Sequence, residues 1–236
     1  MQQPSSRTAW QGQLWLASDF CLVAGSAGHT DEHAHYPHQV LIACGDEVAV
    51  TVDGHPRCAP VVLIESNQPH VILTAQPLIS LFAEPLAFES ADLLRLCTQQ
   101  GPDIDGLIRQ LHDLPRRALP ARLANAVQRI RQLDADTLPA SVVASEAALS
   151  LSQLERLFSG QLGVSVRRLV LWQRLRFALQ LTLSGSNLTM AAATAGFADS
   201  AHLSRSIRRH FGVRADHTLR HLALHVIGQG VAQAGR

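Results

Sequence analysis

Between residues 13 and 83 the apolar positions come in short runs. Leu14–Ala17, Cys21–Ala24, Gln39–Ala43, Glu47–Val52, Val61–Glu65 and Val71–Thr74 are rich in Val, Leu and Ile and are separated by Gly, Pro, Asp and Asn. Runs of this length and composition predict strands, and their regular spacing predicts a small barrel or sandwich. From about residue 89 the period changes. Ala91–Gln99, Asp103–Asp113 and Pro120–Leu133 carry apolar residues three and four apart, as amphipathic helices do. Leu123, Val127, Ile130 and Leu133 make one stripe on the last of these. Pro115 and Pro120 bracket Arg116-Arg117, which predicts a flexible connection, and Asp134–Pro139 predicts a second. Helical signals fill 140–220. The fold class is α+β, with strands first and helices after.

The helical third has internal order. Ala140–Ala147 and a helix from about Ser152 to Leu162 are separated by a turn at Ala148–Ser150. A long helix follows over Val164–Leu183, in which Leu171, Leu175, Ala178 and Thr182 form one side and Leu169, Trp172 and Leu179 widen the apolar surface. Asn187 suits the start of a short helix to Ala195, because its side chain can accept a bond from an unpaired backbone N–H. Gly196 suits a left-handed turn, and Asp199 suits the start of a last helix. Leu154, Leu157 and Phe158 must face a core, as must Leu203, Ile207 and Phe211. The opposite faces carry Ser152, Gln153, Glu155, Arg156 and Ser159 on one helix, and Ser200, Ala201, Ser204, Arg205 and Arg208 on the other. Leu149–Val164 weakly echoes Phe197–Val213, with Arg156 and Arg205 in equivalent places. A helix, a tight turn and a second helix with a slender basic face fit a DNA major groove. On an isolated helix such a face is more often only solvated.

Charge sharpens this picture. The formal net charge is +1, but residues 137–236 hold 11 Arg against four acidic residues, and residues 1–136 hold nine Arg against 15. The C-terminal part therefore carries +7 and the rest −6, as expected when only one part meets phosphate. All 20 basic residues are Arg. Cys21, Cys44, Cys58 and Cys97 show no CxxC spacing and read as buried thiols of a reducing compartment. The first residues lack an apolar signal core, and Arg167, Arg168, Arg174 and Arg176 exclude the long helix as a membrane span. A cytoplasmic protein with no membrane partner is expected.

The run Gly-Phe-Ala-Asp-Ser-Ala-His-Leu-Ser-Arg at 196–205 and the closing His-Phe-Gly-Val at 210–213 resemble the second helix-turn-helix of the AraC/XylS family of transcription regulators. The resemblance covers about residues 137–220. It implies an all-α domain of two helix-turn-helix units joined by one long helix, bound to double-stranded promoter DNA. It places Ser152, Glu155 and Arg156, and Ser200, Ala201, Ser204 and Arg205, at the family's base-contacting positions, with Gln153 and Asp199 beside them. Arg156 can bridge guanine O6 and N7, and Glu155 can accept from cytosine N4. Arg208 and Arg209 suit phosphates better than bases. His202 fits phosphate contact and packing near the turn equally. Ala148 stands where the family usually has Gly, and Val166 and Ala215 where it usually has Pro.

In the strand-rich part His33-Ala-His35-x-x-x-Gln39, Gly45 and Asn67-Gln-Pro-His70 resemble the two cupin motifs. The resemblance implies a cupin-like barrel over 1–88. Cupin metalloproteins use two His, a Glu and a third His, which map onto His33, His35, Gln39 and His70. Gln39 removes one negative charge from that set. Three uses of the barrel stay open: a metal-free effector pocket lined by these residues, a pocket with a divalent metal on His33, His35 and His70, and a structural barrel. Residues 89–136 read as a helical linker whose stripes serve either a core or a homodimer interface, and 221–236 as a tail. The expected function is a sequence-specific transcription regulator that answers a small-molecule effector, is not an enzyme, and works beside RNA polymerase. The alternatives are a cupin-type metalloenzyme, an oxygenase or isomerase with a helical partner domain, and a non-specific basic nucleic-acid binder.

Overall fold

The computed structural model describes residues 11–26, 29–73, 76–131, 140–162, 165–213, 215 and 219–227. The strand-rich half contains β1 (Gln11–Leu16), β2 (Phe20–Ser26), β3 (His38–Ala43), β4 (Val48–Val52), β5 (His55–Ala59), β6 (Val61–Ile64), β7 (His70–Ile72) and β8 (Pro77–Ala83). They make two sheets: one of six strands in the order β6-β3-β8-β2-β1-β9, and one of three in the order β5-β4-β7. The ninth strand, β9 (Leu222–Val226), comes from the far end of the chain and lies parallel to β1, with Gly12 opposite Leu222 and Leu16 opposite Val226. The expected plain tail at 221–236 is thus, over 222–226, part of the N-terminal sheet.

The middle strands are largely apolar, Gln39 and Ser80 apart, because both faces are covered. Along β2, Phe20 and Leu22 enter one core and Cys21 and Val23 another; along β8, Ile79 and Leu81 join the first and Phe82 the second. The first core is capped by α1 (Ser90–Gln100) and α2 (Ile104–Asp113), through Leu93, Leu96, Leu107 and Leu111. A third lies between the sheets and holds Leu41, Val48, Val50, Val52, Ile64 and Ile72. β5 is the exposed edge of the small sheet.

The helical half comprises α3 (Ala121–Arg131), α4 (Ala140–Glu146), α5 (Leu151–Leu162), α6 (Val166–Leu183), α7 (Leu188–Thr194) and α8 (Ser200–Phe211). Leu123, Val127 and Ile130 are buried as their stripe predicts; Leu133 and the 134–139 connection lie outside the described residues. The 115–120 segment has no regular structure, yet its basic pair is fastened. Arg116 makes an ion pair with Asp19 at 2.8 Å and stacks on Phe88 at 4.4 Å, while Arg117 donates to the Pro85 carbonyl and pairs with Glu89. The expected looseness there is replaced by an anchored crossing. The buried-thiol expectation holds for Cys21 and Cys97, but Cys44 and Cys58 are exposed, the latter on edge strand β5. Burial pushes the Cys21 thiol up to about 12. Among the described residues no helix is long and apolar enough to cross a membrane.

One buried charge ties the halves together. Glu84, just past β8, is 1% exposed. It accepts from Arg131 of α3 at 2.6 and 2.8 Å, from Gln173 of α6 at 2.5 Å and from Arg176 of α6 at 3.4 Å. Arg176 also donates to the Ser18 carbonyl.

Candidate functional site

Two helix pairs flank α6. In the first, α4 buries Val143 and Ala144, and α5 buries Leu154 and Phe158 with Leu157 partly covered. The turn between them passes through Ala148 at φ 53, a left-handed conformation that suits glycine better. α5 starts with a reciprocal cap: the Gln153 backbone N–H donates to Ser150 Oγ at 3.2 Å, and the Ser150 N–H to Gln153 Oε1 at 2.8 Å. Ser152, Gln153, Glu155, Arg156 and Ser159 are exposed together on the outer side. Gln153 thus has a capping task.

The second pair is built the same way. Asn187 caps α7 by accepting from Met190 N–H at 2.9 Å, and Gly196 makes the turn at φ 76. Asp199 caps α8 by accepting from His202 N–H at 2.6 Å, so its carboxylate serves the helix end. Leu203 and Ile207 are buried with Ala192, Ala195 and Phe197 around Leu175 and Ala178 of α6. Ala201, Arg205, Arg208 and Arg209 are exposed and Ser200 and Ser204 half-buried. The His202 ring packs edge-on against Phe197 at 5.3 Å, which favours its packing role.

The residues expected to line an effector or metal pocket, His33, His35, Gln39 and His70, also come together. A bridge pairs His33 with His70: the His33 N–H donates to the His70 carbonyl at 3.1 Å, and the His70 N–H to the His33 carbonyl at 2.9 Å. The rings of His33, His35 and His70 lie with centroids 4.1, 4.9 and 5.6 Å apart, all buried, and one ring nitrogen of each lies within 4.8 Å of the other two. Burial, reinforced by the charge of His70, lowers His33 to about 3, and burial holds His35 and His70 below the ordinary imidazole range. The three are neutral near pH 7. Each Nδ1 faces a backbone carbonyl: His33 that of Asp31 at 2.9 Å, His35 that of Pro37 at 3.0 Å and His70 that of Gln68 at 2.9 Å. A carbonyl oxygen only accepts, so Nδ1 carries the proton in His33 and His70 and their Nε2 keeps its lone pair, whereas both ring nitrogens of His35 face acceptors, the Pro37 carbonyl and Gln39 Oε1. His70 Nε2 is buried and has no hydrogen-bond partner among the described residues. Gln39 donates from its amide nitrogen to Ser80 Oγ at 2.7 Å, and its Oε1 lies 3.1 Å from His35 Nε2. His38 accepts from the Ser66 N–H at 3.1 Å.

Between the sheet and the helices lies a cavity of about 60 Å³ whose lining includes Leu16, Val23, Phe82, Trp172, Phe211 and Arg176. His33 and Gln39 also reach it. Beside it the loop at 30–33 touches α8. Arg208 Nε and Nη2 donate to Asp31 Oδ2 at 3.0 and 2.8 Å, and the Asp31 N–H donates to the Gly212 carbonyl at 3.1 Å. Gly212, at φ 64, ends α8 so close to this loop that a Cβ would stand 2.6 Å from the Asp31 carbonyl and 2.7 Å from His33 Nδ1. Asp31, Glu84 and Arg176 were not legible as functional residues; the nearest signals are a lone carboxylate after an apolar run and a lone Arg on the apolar side of α6.

The helix geometry agrees with a comparison of families: residues 143–221 match a family described as a helix-turn-helix domain. They form an AraC-type helix-turn-helix domain. This domain makes the C-terminal half the DNA-binding part of a transcription regulator. No match to the chain is found among curated proteins. Among solved structures it is similar to an apo form of ToxT from Vibrio cholerae strain SCE256, at TM-score 0.56 and 10% identity, over 87% of this chain and 98% of that one. It is similar in the same way to Vibrio cholerae O395 ToxT bound to (E)-4-(8-methylnaphthalen-1-yl)but-3-enoic acid, at TM-score 0.55 and 10% identity over 86% and 99%. An AraC-type regulator from Chromobacterium violaceum matches at 26% identity and TM-score 0.40, over 49% of this chain and 96% of that one. The ToxT likenesses show that the sheets and the AraC-type domain together make a known whole-chain fold.

Proposed function

We propose that the chain is a sequence-specific transcription regulator with two reading heads. The observation that carries this is the pair of outward faces, Ser152, Glu155 and Arg156 on α5 and Ser200, Ala201, Ser204 and Arg205 on α8, at the two ends of α6. Each face pairs Arg with small side chains that let a helix approach base edges, and each is backed by a buried stripe. Arg208 and Arg209 supply phosphate contacts. α6 fixes the separation of the heads, which read successive major-groove segments about 34 Å apart on one face of an asymmetric site. The sheets, closed into a cupin-like barrel, act as sensor. The chain works in the cytoplasm, as a homodimer through the helices of 89–131, with RNA polymerase as a further partner, and has no catalytic role.

The cavity between sheet and helices is the effector's point of entry. At about 60 Å³ it is far below the ~300–1,000 Å³ of a ligand pocket. An effector therefore parts the two halves as it binds, which couples it to the DNA-binding domain. The lining suits an apolar molecule, and Arg176 Nε, buried and without a hydrogen-bond partner among the described residues, suits an acidic group on it. ToxT's arylbutenoic acid is of this class. The test is binding to the chain's own promoter region against random duplex at about 0.15 M salt. A preference of about a thousandfold or more supports the reading; equal affinity with a steep salt slope would replace it with non-specific binding.

A further inference from the structure

We propose that Asp31 holds the chain in a self-inhibited state: its carboxylate takes the place of a DNA phosphate on Arg208, so the strand-rich half competes with DNA for α8. This rests on the DNA-binding reading above and names a regulator of it. Arg208 is exposed and shares a face of α8 with Ala201, Ser204 and Arg205, which precede it by seven, four and three positions.

The Nε–Nη2 edge of the Arg208 guanidinium donates both of its bonds to Asp31 Oδ2, at 3.0 and 2.8 Å. Arginine grips a phosphate with two parallel donors in the same way. A phosphate arriving at Arg208 must displace the carboxylate, and it meets a like charge as it does so. The carboxylate is not needed to finish the helix. The Asp31 backbone N–H, which any residue but proline supplies, already donates to the Gly212 carbonyl at 3.1 Å. An acidic side chain beside the C-terminal end of a helix also opposes the helix dipole. What the Asp31 side chain adds at this helix end is the hold on Arg208.

The carboxylate is offered from a fixed platform. The Thr30 N–H donates to the Ile72 carbonyl at 3.2 Å, the Ile72 N–H donates to Thr30 Oγ1 at 2.9 Å, and His33 is bridged to His70. The end of α8 seats on this loop because residue 212 is glycine: a Cβ there would stand 2.6 Å from the Asp31 carbonyl oxygen and 2.9 Å from Thr30 Cβ. A partner set in place by its backbone loses little freedom in making the pair. The pair is exposed, 56% on Arg208 and 40% on Asp31, so it is weak enough for DNA to replace. The cavity between sheet and helices follows the same seam, with His33 and Ile72 on the loop side and Phe211 and Val213 on the helix side. The hold thus lies where an effector that parts the halves acts.

The experiment measures the affinity of the full chain for a duplex carrying its own promoter region and for a random duplex of equal length. Wild type is compared with Asp31→Asn, Arg208→Ala, the two combined, and Glu32→Gln, which removes an equal charge one residue away. Asp31→Asn should tighten binding about threefold on both duplexes, because a phosphate contact carries no sequence information. Arg208→Ala should weaken both alike. In its background Asp31→Asn should add no more than the small gain that Glu32→Gln gives by relieving repulsion. Affinity unchanged or lowered in Asp31→Asn overturns the proposal, as does a gain of the same size without Arg208 or from Glu32→Gln. If the two duplexes bind equally, the sequence-specific reading falls, while Asp31→Asn against wild type still decides the hold. If no variant binds either duplex, both fall together.

Discussion

The two helix pairs share α6 and the same local design, but they join the sensor half differently. The first pair is built into it: Leu154 and Phe158 of α5 sit in one continuous core with Leu14, Leu16, Cys21 and Val23 of β1 and β2. The second pair has its own core of Leu203, Ile207, Phe197 and the alanines of α7, closed on Leu175 and Ala178. It reaches the sheets through Asp31 on Arg208 and Gly212, through β9 on β1, and through one aromatic side chain, Phe211, edge-on to Phe82 at 5.7 Å. Trp15 and His225 stack across that added strand at 5.2 Å. Apolar cores resist displacement because a gap costs every contact along it, whereas an exposed ion pair and a sheet edge exchange with water at small cost. The first pair is held to the sheets by a broad apolar core, and the second by a smaller set of contacts in which polar and edge interactions weigh more.

The comparison can be broken most forcefully at Glu84. Glu84→Ala leaves Arg176 buried beside an unfilled site, and it should lower stability by about 3–5 kcal/mol in urea unfolding. The sensor and the first pair should then unfold together, and separate transitions would show that they are not one unit. Next, Phe158→Ala and Leu203→Ala should cost about 3–5 and 2–5 kcal/mol. Phe158→Ala should expose β1 and β2 amides to hydrogen exchange; Leu203→Ala should expose those of α7 and α8 and spare β1 and β2. The buried histidines give a smaller, pH-dependent effect. Burial holds His33 at about 3 against 6.5 when unfolded, so the unfolded chain takes up its proton first. The stability this group contributes is complete above pH 6.5 and is lost as pH falls towards 3. In chelator, His33→Asn should remove about 1.4 kcal/mol per pH unit from the slope between pH 6 and 5, and an unchanged slope would contradict neutral burial. Smallest is Ala148→Gly, which relieves the positive φ of the first turn. It should stabilise by about 0.5–1 kcal/mol in thermal unfolding, with no change in DNA preference.

The sequence made the local features legible. The caps at Asn187 and Asp199, the turn at Gly196 and the buried stripes of α5 and α8 all depend on residues within one or two turns, and the structure has them where the spacing put them. The convergence of His33, His35 and His70 was legible only through the resemblance, since His70 meets the other two across a bridge between distant segments. Three strands were not anticipated. β5 carries Pro56 and Arg57 and is held as an edge. β8 is a short apolar run after Pro77 that a search for fully buried strands would find. β9 pairs in parallel with β1, an edge contributed by the far end of the chain. The links that make one molecule of the halves span the chain: Glu84 to Gln173 and Asp31 to Arg208 join residues 89 and 177 positions apart, and no local pattern announces such partners.

The most direct test of two reading heads is selection of duplex DNA from a random pool by the full chain, with Arg156→Ala and Arg205→Ala run beside it. The wild type should enrich a bipartite motif. Each variant should relax a different half, at about 1–3 kcal/mol for the affected bases. An unenriched pool, or the same weakening by both variants on every sequence, would contradict the account.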